Sequence, residues 1–218
     1  TLDAADTNPS DDNTDLDVLT VNIQENGNRS PIRYVSPPGV VREQLYNNNS
    51  VINQNEQALA MRVGGDGLQP GDSRAVFKNV SVDMRQFNKL KMFLHAEALP
   101  APSDPTPLQN DQMIGFIRFG NDFTQNFYQV EIPLKVTPEG ASSPSEVWPE
   151  LNEINLPLDL LTQLKVLALG GNAPAEDING IRFIDDDVLD PSLASNTNRG
   201  KLRLGIRGNP NFGLVRTL

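Results

Sequence analysis

The chain has 218 residues, a formal net charge of −10, one histidine and no cysteine, with a sequence pI of about 4.5. That length holds one sizeable core, and the acidic balance opposes nucleic acid or any other polyanion as a partner. Without cysteine there is no disulfide, thiolate nucleophile or Cys-ligated zinc; the lone His95 rules out a His-pair metal site and a Ser-His-Asp arrangement with a spare imidazole; and no apolar run nears the roughly 18 residues of a membrane-spanning helix.

The chain opens at Thr1 with neither an initiator Met nor a signal peptide, which predicts a piece of a longer protein. Asp3, Asp6, Asp11, Asp12, Asp15 and Asp17 all precede the first basic residue, Arg29, and Asn is dense up to residue 57. Low hydrophobicity under one sign of charge predicts an extended or partly disordered N-terminal arm over 1–57. Pro31, Pro37, Pro38 and Gly39 hold the backbone extended and remove ladder donors, so this run should lie across a surface. Leu59, Met61 and Val63 then alternate with Ala60 and Arg62, predicting the first strand of a sandwich domain over 58–218. The glycine-rich Gly64-Gly65-Asp66-Gly67 has no phosphate-loop Lys and no helix after it, and reads as a turn.

The stretch from Arg74 to Glu97 organises the rest of the chain. Val80, Val82 and Met84 share a face; Asp83 is placed to cap a tight helical turn, and Phe87 to fold over the sheet. Leu90, Met92, Leu94 and Ala96 then point inward, with Lys91, Phe93, His95 and Glu97 opposite. Prolines at 100, 102, 105 and 107 make a long irregular loop. Met113, Gly115, Ile117 and Phe119 alternate with Ile114, Phe116 and Arg118, both sets largely apolar, which predicts a central strand covered on both faces. Tyr128, Val130, Ile132 and Leu134 give a clean inward face opposed by Phe127, Gln129 and Glu131.

Val147 to Leu156 reads as a strand with Ile154 and Leu156 inward, and Pro157 opens a short helix over Leu158 to Lys165. Through 166–199 every apolar stretch is interrupted, by Gly170-Gly171, Asn179-Gly180 and Asp185 to Asp187, and no element is placed there. Leu202, Leu204 and Ile206 restore an inward face, and a last strand begins at Val215. The pattern predicts an all-β fold, an antiparallel jelly-roll-like (galactose-binding-like) β-sandwich with long loops and one short helix. Its closing strand is expected from sequence beyond Leu218, leaving an open edge here.

Few residues offer chemistry. His95, beside Lys91 and Glu97, reads as a packed or hydrogen-bonded strand histidine, with a ligand contact as the alternative. Asp185, Asp186 and Asp187 have the composition of a calcium site, but adjacent carboxylates diverge and no glycine falls where a calcium loop needs one, so a solvated acidic loop is the competing reading. Trp148, Phe93 and Phe127, with Phe116, could form a sugar-stacking platform or could be core. Glu97, Glu131 and Glu153 fall on outward strand faces, with no pattern bringing two of them to one substrate. No cofactor, catalytic residue or enzymatic activity is expected.

The stretches REQLYNNNSVINQNEQALAMRV (42–63), DSRAVFKNVSVDMRQFNKLKMFLHAE (72–97), IGFIRFGNDFTQNFYQVEIPL (114–134), WPELNEINLPLDLLTQLK (148–165) and IRGNPNFGLVRTL (206–218) together resemble an internal soluble region of the SprA/Sov family. These are very large outer-membrane proteins of Bacteroidetes needed for gliding motility and type nine protein secretion. Residues 1–30 and 166–199 depart from the resemblance. It implies a non-catalytic structural or scaffolding domain of the outer-membrane translocon, itself not membrane-spanning. Its implied partners are other parts of the same large protein, secretion-system components and secreted cargo, on a side of the membrane left open. The sandwich alone also resembles galactose-binding-like domains, and a carbohydrate-binding module at the cell surface is the alternative.

Overall fold

The computed structural model describes residues 13–41, 44–47, 50–53, 56–65, 67–68, 70–98, 107–171 and 176–218. They fall into two units, one within residues 1–76 and 139–144, the other within 77–138 and 145–218. In the first unit, β1 (Asp15–Val21), α1 (Ile23–Asn26), β2 (Gln44–Asn47), β3 (Ser50–Asn53) and β4 (Ala58–Gly64) succeed one another. β2 pairs with β3, and β1 pairs antiparallel with β4 from Asp15 opposite Gly64 to Val21 opposite Ala58. The strand expected to open the sandwich at residue 58 is therefore paired inside the N-terminal unit, and Asp15–Val21, expected to be arm, is its partner. Alternation marks a strand locally but says nothing of which strand it pairs with.

Asn22 ends β1 and starts α1. Its side chain accepts from the amides of Gln24 and Glu25, both at 3.0 Å, two of the donors a helix start leaves open. Arg33 donates to the Ser142 carbonyl at 2.9 Å, holding 139–144 to this unit. The Tyr34 hydroxyl donates to Glu56 at 2.5 Å; burial, then this bond and the carboxylate's charge, push the phenol's pKa up.

The second unit contains β5 (Asn79–Val82), β6 (Lys89–Phe93), β7 (Ile114–Gly120), β8 (Phe127–Pro133), all but the first residue of α2 (Pro144–Val147), β9 (Glu153–Pro157), α3 (Asp159–Gly170), β10 (Glu176–Ile178), β11 (Ile181–Asp185), α4 (Asp186–Leu189), β12 (Arg203–Arg207) and β13 (Val215–Thr217). Seven strands make one sheet in the order β10-β11-β12-β8-β7-β13-β5, every neighbouring pair antiparallel. β6 and β9 pair apart from it, Lys89 opposite Pro157 and Phe93 opposite Glu153. One core cluster joins Tyr128, Val130 and Ile132 of β8 and Leu204 and Ile206 of β12 to Ile154 and Leu156 of β9 and Leu160, Leu161 and Leu164 of α3. The fold is thus an all-β antiparallel sandwich whose second layer is the β6/β9 pair completed by a helix. Gly115 keeps the core face of β7 low: a Cβ there would meet Leu94 Cδ2 at 2.9 Å and both methyls of Leu134 at 3.3 Å.

The inward faces of β6, β8 and β12 fall as their alternation predicts, with Ala96 2% and Val130 0% exposed. Other expectations differ. Phe87 does not cover the sheet; it is 54% exposed beside the 84–86 turn that Asp83 caps. The first half of Val147–Leu156 is α2 and a helical turn over Glu150–Asn152, and strand begins only at Glu153. The helix after Pro157 runs to Gly170 rather than stopping at Lys165, because Leu167 and Ala168 extend its apolar stripe and Gly171, with φ +72°, supplies the left-handed cap. Asn179-Gly180, read as an interruption, is the hairpin turn joining β10 to β11, both residues at positive φ. The strand at Val215 lies between β7 and β5.

Candidate functional site

Period-two alternation that sends one set of side chains into the core sends Arg118 of β7, Phe127, Gln129 and Glu131 of β8, Arg203 and Arg207 of β12 and Phe183 of β11 to the sheet's other face. Register sets them side by side: Arg118 opposite Gln129, Glu131 opposite Arg203, Phe127 opposite Arg207, and Phe183 opposite Gly205. Gly205 makes room for that ring, since a Cβ there would lie 2.6 Å from Phe183 Cε1. Arg203 lies over Phe183, its guanidinium carbon 4.5 Å from the ring centre, and Arg118 over Phe127 at 4.1 Å.

Under these arginines runs a buried polar chain. Gln129 and Glu131 are 7% and 8% exposed. Arg118 Nε donates to Gln129 Oε1 at 2.8 Å, Gln129 Nε2 donates to Glu131 Oε1 at 2.5 Å, and Arg203 donates to Glu131 Oε2 through Nε at 2.8 Å and Nη2 at 2.6 Å. Arg118 Nη1 donates to the Phe123 carbonyl at 3.0 Å. A buried carboxylate without such partners costs several kcal/mol, so both oxygens of Glu131 being bonded is what keeps this face folded. Burial, and behind it the nearby Arg207, push the Arg118 pKa down, while Glu131 pulls it up. The result is a face of flat guanidinium groups on aromatic rings, Arg118 on Phe127 and Arg203 on Phe183.

The sequence candidates lie elsewhere, apart from Phe127 and Glu131. Trp148 is 9% exposed with its ring edge-on to His95, centres 5.7 Å apart, and Phe127 is 0% exposed under Arg118. Phe93 is half-buried with the Lys91 ammonium 5.6 Å above its ring. The three aromatics are not brought together, and a sugar platform needs an exposed ring face that Trp148 and Phe127 lack. His95 lies among Thr137 Oγ1 at 3.1 Å, the Val147 carbonyl at 2.9 Å and Glu97 at 3.2 Å.

Asp185, Asp186 and Asp187 face cations of the chain. Lys201 reaches Asp185 at 2.8 Å and Asp187 at 3.2 Å, and the buried Asp186 pairs with Arg199. Among the described residues no group of three or more acidic or histidine side chains is placed to hold a metal ion. An open groove of about 400 Å³, lined by Met84, Arg85, Phe87, Leu158, Thr162 and Phe212, lies beside the start of α3. The arginine face escaped sequence reading because Arg203 and Glu131 are 72 residues apart. The only local sign was a run of polar residues on the outward positions of an otherwise apolar strand pair.

A family of motility-related and secretion proteins, SprA_N, matches residues 3–187. The chain belongs to the SprA_N family. The match takes in β1 through β11 and stops inside α4, so β12 and β13, both interior strands of the sheet, lie beyond it. A search of the curated proteins finds no match. Among the described residues of this SprA_N chain no helix is long and apolar enough to cross a membrane.

Proposed function

We propose that the chain is a non-catalytic scaffolding region of an outer-membrane translocon serving type nine protein secretion and gliding motility. Membership of the motility and secretion family over residues 3–187 is the observation that carries this reading. The geometry supports it: Glu97, Glu131 and Glu153 each face a basic partner of their own, His95, Arg203 and Lys91. Paired that way, no two of them are placed to divide acid and base roles across a substrate. The burial of Trp148 and Phe127 counts against the carbohydrate-binding alternative. In this reading the partners are other parts of the same large outer-membrane protein, secretion-system components and secreted cargo.

The test is made in the organism that encodes the protein. Residues 77–218 are replaced by a flexible linker, and cargo in the medium and colony spreading are measured beside the amount of parent protein in the envelope. Loss of both at an unchanged amount of parent protein is expected. Normal secretion and spreading, or glycoside or peptide turnover by the purified chain that ends when one acidic residue is replaced, would overturn the proposal.

A further inference from the structure

We propose that Arg118 and Arg207 form a receptor on the outer face of the seven-stranded sheet for a carboxylate-bearing peptide segment of a partner protein. The two arginines stand on β7 and β12, the strands either side of β8, and flank Phe127. Arg118 is fixed by stacking on that ring and by the bonds of its Nε and Nη1; its Nη2 has no protein partner among the described residues. Arg207 is half-buried, and its side chain, among the described residues, makes neither a hydrogen bond nor an ion pair. Its guanidinium lies against the Asn179-Gly180 turn, 3.6 Å from where a Cβ on Gly180 would sit.

The like charges of Arg118 and Arg207 disfavour each other, and in a chain of net charge −10 there is no shortage of carboxylates that could have faced Arg207. An arrangement that leaves Arg118 Nη2 and the whole Arg207 guanidinium open is complementary to an anion from outside. A carboxylate fits the planar fork, and the side-chain ordering that binding ordinarily costs is already met for Arg118 by Phe127. A nucleic acid does not fit: its long phosphate track would meet the repulsion of the whole acidic chain, whereas a short acidic peptide engages only the local field.

The whole chain is titrated at low salt with a short acetylated, amidated glutamate peptide, monitored by calorimetry and by amide NMR shifts. Binding should move the Arg118, Phe127 and Arg207 amide signals, and Arg207→Gln should weaken it about tenfold, the loss of roughly one charge-assisted bond. Arg118→Lys, which keeps the charge and loses the open Nη2 donor, should weaken it as well. Arg207→Gln breaks no internal bond, so an unchanged unfolding midpoint is expected with it. The proposal is overturned if the wild-type chain does not bind the peptide. It is overturned equally if Arg207→Gln binds as tightly as wild type, if the glutamine version of the peptide binds as well, or if inorganic phosphate binds more tightly than the peptide.

Discussion

Asp122 closes the turn between β7 and β8 almost single-handedly. Its Oδ1 accepts from the amides of Thr124 at 2.9 Å, Gln125 at 2.5 Å and Asn126 at 3.1 Å, and its Oδ2 from the Asn126 side chain at 3.0 Å. Burial alone would raise its pKa, but these donors outweigh it and hold the carboxyl at about 2, against an ordinary 3.8. A depressed carboxyl contributes its full stability above the unfolded value and loses it as pH falls toward the folded one. The stability gap between wild type and Asp122→Asn should therefore be constant at neutral pH, shrink below 3.8 and close near 2, read by urea unfolding across that range. A gap independent of pH would mean the charge is not what organises the turn. Asp186 gives a second contrast: it is 1% exposed and paired with Arg199, while Lys201 is an exposed partner of its neighbours. Asp186→Ala should cost about 1 to 3 kcal/mol by leaving a half-buried guanidinium unpaired, and Lys201→Ala about 1 or less; equal costs would refute the assignment. The Asp-Asp-Asp run was legible as acidic, but the buried carboxylate, Asp186, is the one paired with Arg199, which follows α4 in the chain.

At the scale of elements, two glycines separate room from necessity. A Cβ on Gly120 would lie 2.3 Å from the Asn126 carbonyl oxygen and 2.6 Å from Phe127 Cα, backbone atoms of the paired strand that cannot turn aside. Gly170, the last residue of α3, has nothing within 4 Å of that position. Gly120→Ala should thus destabilise by about 1 to 3 kcal/mol or more. Gly170→Ala should be neutral or stabilise by up to about 1 kcal/mol, through helix propensity and a stiffer unfolded chain. Thermal unfolding of the two variants side by side decides it; a Gly120→Ala protein as stable as wild type would mean the β7–β8 turn is looser than its geometry. Elements whose signal is local were the legible ones. The inward faces of β6, β8 and β12 arise from alternation, and the capped turn after Asp83 from one side chain. The β10–β11 hairpin carried a usable signal in Asn179-Gly180, a dipeptide suited to two positive φ angles. It was obscured because three-residue β10 is too short to show a period.

On the scale of the whole molecule, strand order is what sequence could not supply. Alternation is a property of one strand, whereas β12 reaches its place between β11 and β8, and β13 its place between β7 and β5, only through pairing with strands far away in the chain. The arginine face inherits that limit, because Arg118, Glu131 and Arg203 become neighbours only once three strands are in order. The same order makes a prediction about the part of the chain shared with the family, which ends at residue 187. Without residues 188–218, the seven-stranded sheet would fall into β10 with β11, β8 with β7, and β5 alone. The core would lose Leu202, Leu204, Ile206 and Val215, each 3% exposed or less. Fragments of one or two strands are marginal in water, and each buried side chain removed costs about 1.5 to 3 kcal/mol against a typical total near 5 to 15. A chain ended at Asp187 should therefore lack a cooperative urea transition and should exchange the β11 and β8 amides freely, while the full chain protects both. Protection of β8 and β11 in the shortened chain at the level of the full one would mean that β12 and β13 decorate a sheet already complete without them.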